Sequence, residues 1–180
     1  MPSIFTHSLV GLAAGKILHR RRLPKRFWVL SFICPSLPDA DVVSIAFGIP
    51  YAHLLGHRGI THSIIFALVV GFLIVWVFFR KENLSLKRSL ALATYFAFIT
   101  ASHGILDGLN NGSLGVAFFA PFDNTRYLFP ISPIEVSPIG LDFFGERGLT
   151  VIISEMLWVW IPILSILLVK TVLESNVFKK

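Results

Sequence analysis

The sequence predicts an all-α, polytopic membrane protein with about five transmembrane or half-membrane helices and one long outer loop. Three observations point there. Of 180 residues, 54% are hydrophobic and only 14% charged, whereas a soluble domain carries about a quarter charged residues. The mean hydropathy is +0.74. The apolar residues gather in runs, and one of them, IIFALVVGFLIVWVFF from Ile64 to Phe79, contains no charge. Such composition marks a membrane chain.

Five apolar segments follow in order, at roughly 3–18, 27–49, 63–79, 89–107 and 149–169. The first is short: about sixteen residues rise roughly 24 Å, against a hydrocarbon core of roughly 30 Å. The second is interrupted by CPSLPDAD, where Pro35 and Pro38 kink or end a helix. Broken backbone at membrane depth survives only inside protein or beside a wet cavity, so the interruption itself hints at a site. The third and fourth segments read as plain spans. The fifth carries one acid, Glu155, one to two turns in. Between the fourth and fifth, residues 108–148 are too long for a simple connector, and their prolines and aromatics suit a lid or substrate wall over the outer mouth. The aromatics equally suit an interface belt. No internal repeat or low-complexity linker divides the chain, which reads as one domain over 1–180.

Charge sets the orientation. The net charge of +6 does not point to nucleic acid, because the basic residues cluster between apolar segments, in HRRRLPKR (19–26), RKENLSLKR (80–88) and the tail Lys170–Lys180. With those clusters cytoplasmic, thirteen of the sixteen Lys and Arg fall inside, and only Arg58, Arg126 and Arg147 fall outside. This is the positive-inside pattern. A cleavable signal peptide is not expected, since the basic residues follow the first apolar stretch. The single cysteine, Cys34, excludes an intrachain disulfide and a CxxC metal site.

The ionisable residues then fall on one side. His7 lies near the outer end of the first segment, Asp39 and Asp41 past the middle of the second, and His57 and His62 lead into the third. His103 and Asp107, in SHGILD, are an i, i+4 pair near the outer end of the fourth, so one helix face presents both to one ion. Acids at bilayer depth are costly unless paired, hydrated or metal-bound. Clustered imidazoles and carboxylates suit zinc, manganese or iron. Arg58 and Arg126 are placed to hold phosphate oxygens. Blander readings stand beside these. His7 can be an interhelical hydrogen bonder, PDAD a turn capping the next helix, and HRGITHS a solvated loop with Thr61 as N-cap. Glu155 can be a ligand, an arginine partner or a protonated packing residue.

LPDAD, GHRGITHS, SHGILD and APFDNTRYLFP together resemble the YdjM-like family of bacterial inner-membrane proteins, a family of metal-dependent hydrolases. The resemblance covers most of the chain, from THSLVG at residue 6 to Arg126 and Tyr127. It implies a helical membrane domain whose hydrolytic metal site includes His7, Asp39, Asp41, His57, His62, His103 and Asp107. More distantly, the ordered series of histidine, aspartate, histidine and HxxxD is similar to the zinc-dependent phospholipase C superfamily. The chain departs from that pattern at Met1 and lacks a later run of histidines after Asp107, which implies one or two metals instead of three.

The resulting expectation is a multi-pass protein of the bacterial or archaeal cytoplasmic membrane, with its site on the extracytoplasmic side. One or two Zn²⁺ ions, or Mn²⁺ or Fe²⁺, would be held by His7, Asp39, Asp41, His57, His62, His103, Asp107 and Glu155. Asp41, Arg58 and Arg126 would act on a phosphoester of a lipid or lipid-linked substrate. The alternative is an ion or metal transporter using the same intramembrane residues. The near-bare inner half of each span counts against conduction, and the crowded carboxylates count against a haem pocket.

Overall fold

A computed structural model describes residues 1–18, 23–138 and 140–177. Residues 19–22 of the first basic cluster and 178–180 of the tail lie outside the described residues. Among the described residues, seven α-helices occur in chain order: α1 (Ile4–Leu18), α2 (Lys25–Ile33), α3 (Val43–Ala46), α4 (Ile64–Phe78), α5 (Leu86–Gly108), α6 (Glu146–Glu155) and α7 (Ile161–Val177). Short 3₁₀ turns lie at Cys34–Ser36, Pro38–Val42, Ile60–His62, Arg80–Glu82 and Gly140–Phe144. The described residues contain no strand, only two isolated bridges, Asn110 with Ile134 and Val116 with Tyr127.

The membrane reading holds at a coarser level than five spans. Among the described residues, two helical stretches, Leu86–Gly108 and Glu146–Ser175, are long and apolar enough to cross a bilayer. A third counts if Lys25–Ser36 and Pro38–Ala46, bent by 40° at their junction, form one broken span. The bend sits where the sequence places it. Pro35 and Pro38 donate no backbone N–H, so the helix gives way to 3₁₀ turns at Cys34–Ser36 and Pro38–Val42. α1 and α4 are apolar but only 15 residues each, roughly 22 Å of rise. α4 is preceded by Ser63, whose side chain accepts from Phe66 N at 3.1 Å. Ser63, and not Thr61, is therefore the cap.

Packing is closest where small residues let backbones meet. A Cβ on Gly11 of α1 would lie 2.1 Å from Ser31 O of α2, and one on Gly71 of α4 would lie 2.3 Å from Ala93 O of α5. In lipid such contacts replace a hydrophobic drive between helices. A buried cluster of Phe27, Leu30, Cys34, Val75, Phe79, Ala93, Tyr95, Phe96 and Ile99 fills the basic end of α2, α4 and α5. Tyr95 ties α5 to α1 by donating to Gly11 O at 2.9 Å.

At the other end, the 108–148 segment packs back on the helices. Ala117 N donates to Arg58 O at 3.1 Å, Ile64 N to Phe118 O at 3.0 Å and Phe129 N to Gly108 O at 3.1 Å. Val116, Ala117, Ala120 and Ile134 of this segment are themselves buried. The last helix is continuous but changes pitch, running as a π-helix from Met156 to Trp160 between α6 and α7. Such widenings concentrate where a helix serves a site.

Candidate metal centre

Four elements deliver the polar residues to one place. α1 supplies His7, the 3₁₀ turn Pro38–Val42 supplies Asp39 and Asp41, the turn before α4 supplies His57, Arg58 and His62, and the end of α5 supplies His103 and Asp107. Each local structure has a cause. The proline break turns Asp39 and Asp41 out of the helical ladder, and the Pro35 carbonyl it releases accepts from His103 Nδ1 at 2.7 Å. Buried irregular backbone is thereby satisfied by a side chain. Arg58 takes a left-handed conformation at φ 62. A non-glycine residue there is strained, and such strain persists where surrounding contacts fix it. Its backbone N–H donates to Asp41 Oδ2 at 3.0 Å, its carbonyl accepts from Ala117, and its guanidinium bonds Ser113.

Two overlapping sets of ligand atoms result. Asp39, His62, His103 and Asp107 bring one atom each to within 4.8 Å of one another, and so do Asp39, Asp41, His57 and His62. His103 Nε2 lies 3.1 Å from His62 Nε2, 3.2 Å from Asp39 Oδ1 and 3.8 Å from Asp107 Oδ2. A carbonyl only accepts, so the contact with Pro35 O puts a proton on His103 Nδ1. In the tautomer this contact selects, Nε2 is the nitrogen left to face the carboxylate oxygens. Asp41 repeats this logic for the other imidazoles. It meets His57 Nδ1 at 2.6 Å and His62 Nδ1 at 3.2 Å, and it accepts from the Arg58 backbone and the Thr61 hydroxyl. A carboxylate behind an imidazole fixes the ring and leaves Nε2 for a metal.

Whether these residues fit a cation is tested by the atoms left over. Among the described residues, Asp39 Oδ1, both Asp107 oxygens and both His7 nitrogens are buried without a hydrogen-bond partner. Asp107 is wholly buried and ion-paired at 2.8 Å with Arg58 Nε, outside hydrogen-bond geometry. Buried polar atoms are ordinarily satisfied. Orphaned acceptors facing one another are repulsive without positive charge between them. Among the described residues, the buried guanidinium of Arg58 pairs with Asp107, while Asp41 meets Arg58 only through its backbone N–H. Two imidazole and two carboxylate donors are a set that divalent transition metals accept. The buried His/Asp groups fit a metal ion.

The other sequence candidates are placed differently. His7 stacks on His103 with ring centroids 3.8 Å apart, and its Nε2 is 3.9 Å from Asp107, at the margin of the ligand sets. Glu155 lies outside both sets. Its oxygens accept from Ser3 N, from Ser3 Oγ at 2.5 Å and from Thr6 Oγ1 at 2.6 Å, while Trp160 Nε1 donates to Thr6 Oγ1. The Arg126 guanidinium donates to the carbonyls of His57, Tyr51 and His53, and it lies 4.4 Å over the Tyr51 ring. It holds the 51–57 loop, and among the described residues its hydrogen bonds go to backbone carbonyls, that of His57 included, and not to a ligand atom of either set. Burial pushes the Tyr51 phenol up, and burial, opposed by Asp107, pushes the Met1 amine down to about 6. Ser3, Thr6, Thr61 and Ser113 were not legible as site residues, because lone hydroxyls carry no spacing signal.

Against known proteins, the whole of residues 1–177 matches the model of the family described as "YdjM inner membrane protein". The chain belongs to the YdjM family. It is also 38% identical over 166 residues, covering 90% of this chain and 92% of the relative, to "Inner membrane protein YbcI" of Escherichia coli (strain K12). No solved structure matches it. Membership in an inner-membrane family, with the apolar helices, supports a location in the cytoplasmic membrane.

Proposed function

We propose that the chain is a metal-dependent hydrolase that cleaves a phosphoester in a lipid or lipid-linked molecule near the outer leaflet. All five apolar segments would cross or enter the membrane, as one domain with 108–148 as its outer lid. The observation that carries this reading is the convergence of His62 Nε2, His103 Nε2, Asp39 and Asp107 on one buried point. The thirteen-to-three split of basic residues supports placing that point on the extracytoplasmic side.

Asp39, His62, His103 and Asp107 would hold the ion, with His7 beside them. A Zn²⁺ ion bound there would act as a Lewis acid on a phosphoryl oxygen and lower the pKa of a bound water. Asp41 would fix the rings of His57 and His62; four donors already occupy its oxygens, so the Asp41–His57 pair, and not Asp41 alone, would accept the water's proton. Arg58, buried next to Asp107, would offset charge developing on phosphate oxygens. Arg126 would keep the 51–57 loop in place. A headgroup reaching this depth need not leave the bilayer.

Elemental analysis of detergent-purified protein tests the reading, comparing wild type with His103→Ala and Asp39→Ala. One or two transition-metal ions per wild-type chain, clearly reduced in both variants, is the expected result. Equal metal in all three would remove the catalytic proposal. Phosphate release from phospholipids and polyprenyl phosphates, with and without chelator, then separates hydrolysis from metal passage across vesicles.

A further inference from the structure

At the basic end, far along the helices from the metal centre, the turn Arg80–Glu82 leads from α4 towards α5. α4 ends at Phe78, while α5 begins at Leu86 and runs for 23 residues. A groove of about 460 Å³ opens between them, within the size range of small-molecule sites. Val75, Phe79 and Ala93 form its buried floor, and Trp76 and Leu86, 62% and 75% exposed, stand at its walls. Arg80, Asn83 and Ser89 supply the polar end. The Arg80 guanidinium lies 5.5 Å over the Trp76 ring, which fixes a cation beside an apolar slot.

The charge around this groove has one sign. Arg80, Lys81, Lys87 and Arg88 surround it in sequence, and the nearest acid, Glu82, is paired with Arg26. An apolar slot with a cationic polar end, at the level where spans meet water, matches a molecule with an acyl tail and an anionic head. Basic residues next to spans attract anionic lipids, and aromatic rings favour that interface.

We propose that this groove binds an anionic phospholipid, with its phosphate against Arg80, Asn83 and Ser89 and an acyl chain along Trp76 and Leu86. The site is separate from the metal centre and does not depend on it.

The test is native mass spectrometry of purified protein mixed with equal amounts of phosphatidylglycerol and phosphatidylcholine bearing the same acyl chains. Wild type should retain phosphatidylglycerol preferentially. Arg80→Gln should lower that preference about fivefold, the factor one basic side chain contributes at an anionic surface. Arg80→Lys, which keeps the charge, should preserve most of it and shows that the fold tolerates change here. Lys81→Gln, whose residue adds to the surrounding charge but does not line the groove, should lower the preference clearly less than Arg80→Gln. No headgroup preference in wild type, or equal loss in Arg80→Gln and Lys81→Gln, would overturn the proposal. A lipid-free dimer would do the same, by showing that a second copy of the chain covers the groove.

Discussion

The Arg58–Asp107 contact allows a quantitative prediction. Both side chains are almost completely buried, with Nε and Oδ2 2.8 Å apart. Asp107→Asn leaves the guanidinium charged and buried, and Arg58→Met strands the carboxylate. Breaking one side of a buried pair costs about 3–5 kcal/mol, while replacing both members by neutral groups is often close to neutral. Each single variant should therefore shift the unfolding equilibrium roughly a hundredfold to several-thousandfold. The double variant should be clearly less destabilised than the sum of the two. The assay is reversible unfolding in mixed micelles of increasing SDS content, on chelator-treated protein so that loss of a bound ion does not enter. Costs that simply add in the double variant, to within about 0.5 kcal/mol, would show the charges to be uncoupled and refute the reasoning.

Three further outcomes are expected. Asp41→Asn, which keeps every proposed ligand of the first set but loosens the rings of His57 and His62, should weaken metal affinity about 10–100-fold in competition with a chromogenic chelator. Glu155→Ala should leave the metal content unchanged but lower stability by about 1–3 kcal/mol, since it abandons the buried Ser3 and Thr6 hydroxyls; loss of metal would instead restore Glu155 to the ligand group. Gly71→Ala should cost about 1–3 kcal/mol in the same unfolding assay, because its methyl must move away from Ala93 O, and a neutral result would mean that α4 and α5 separate freely.

Some of this centre could be read from the chain because lipid makes ionisable residues conspicuous. Asp39, Asp41, His103 and Asp107 each stand out against apolar neighbours, and the i, i+4 spacing of the last two already places them on one face. The proline break was equally visible, since a missing N–H has a fixed consequence. What was hidden depended on partners distant in sequence. Glu155 meets Ser3 and Thr6 across about 150 positions, and nothing in a serine or threonine announces such a contact. Arg126 could be recognised as an unusual outer arginine, but its binding to the carbonyls of the 51–57 loop is a property of backbone geometry. Span lengths were also blurred. Apolar runs fix where helices lie, while the actual stops at Ser63 and Phe79 left α4 shorter than a full crossing.

The Glu155 clamp has a consequence for how the chain comes together. The acid enters with α6, while the groups that donate to it arrive with and just before α1, so until these two parts meet the carboxyl has no consort in an apolar surrounding. Biogenesis should therefore finish as a ring closing instead of a row lengthening. A polypeptide cut in the 108–148 segment should yield halves that remain unsettled apart and gain protease resistance only when made together.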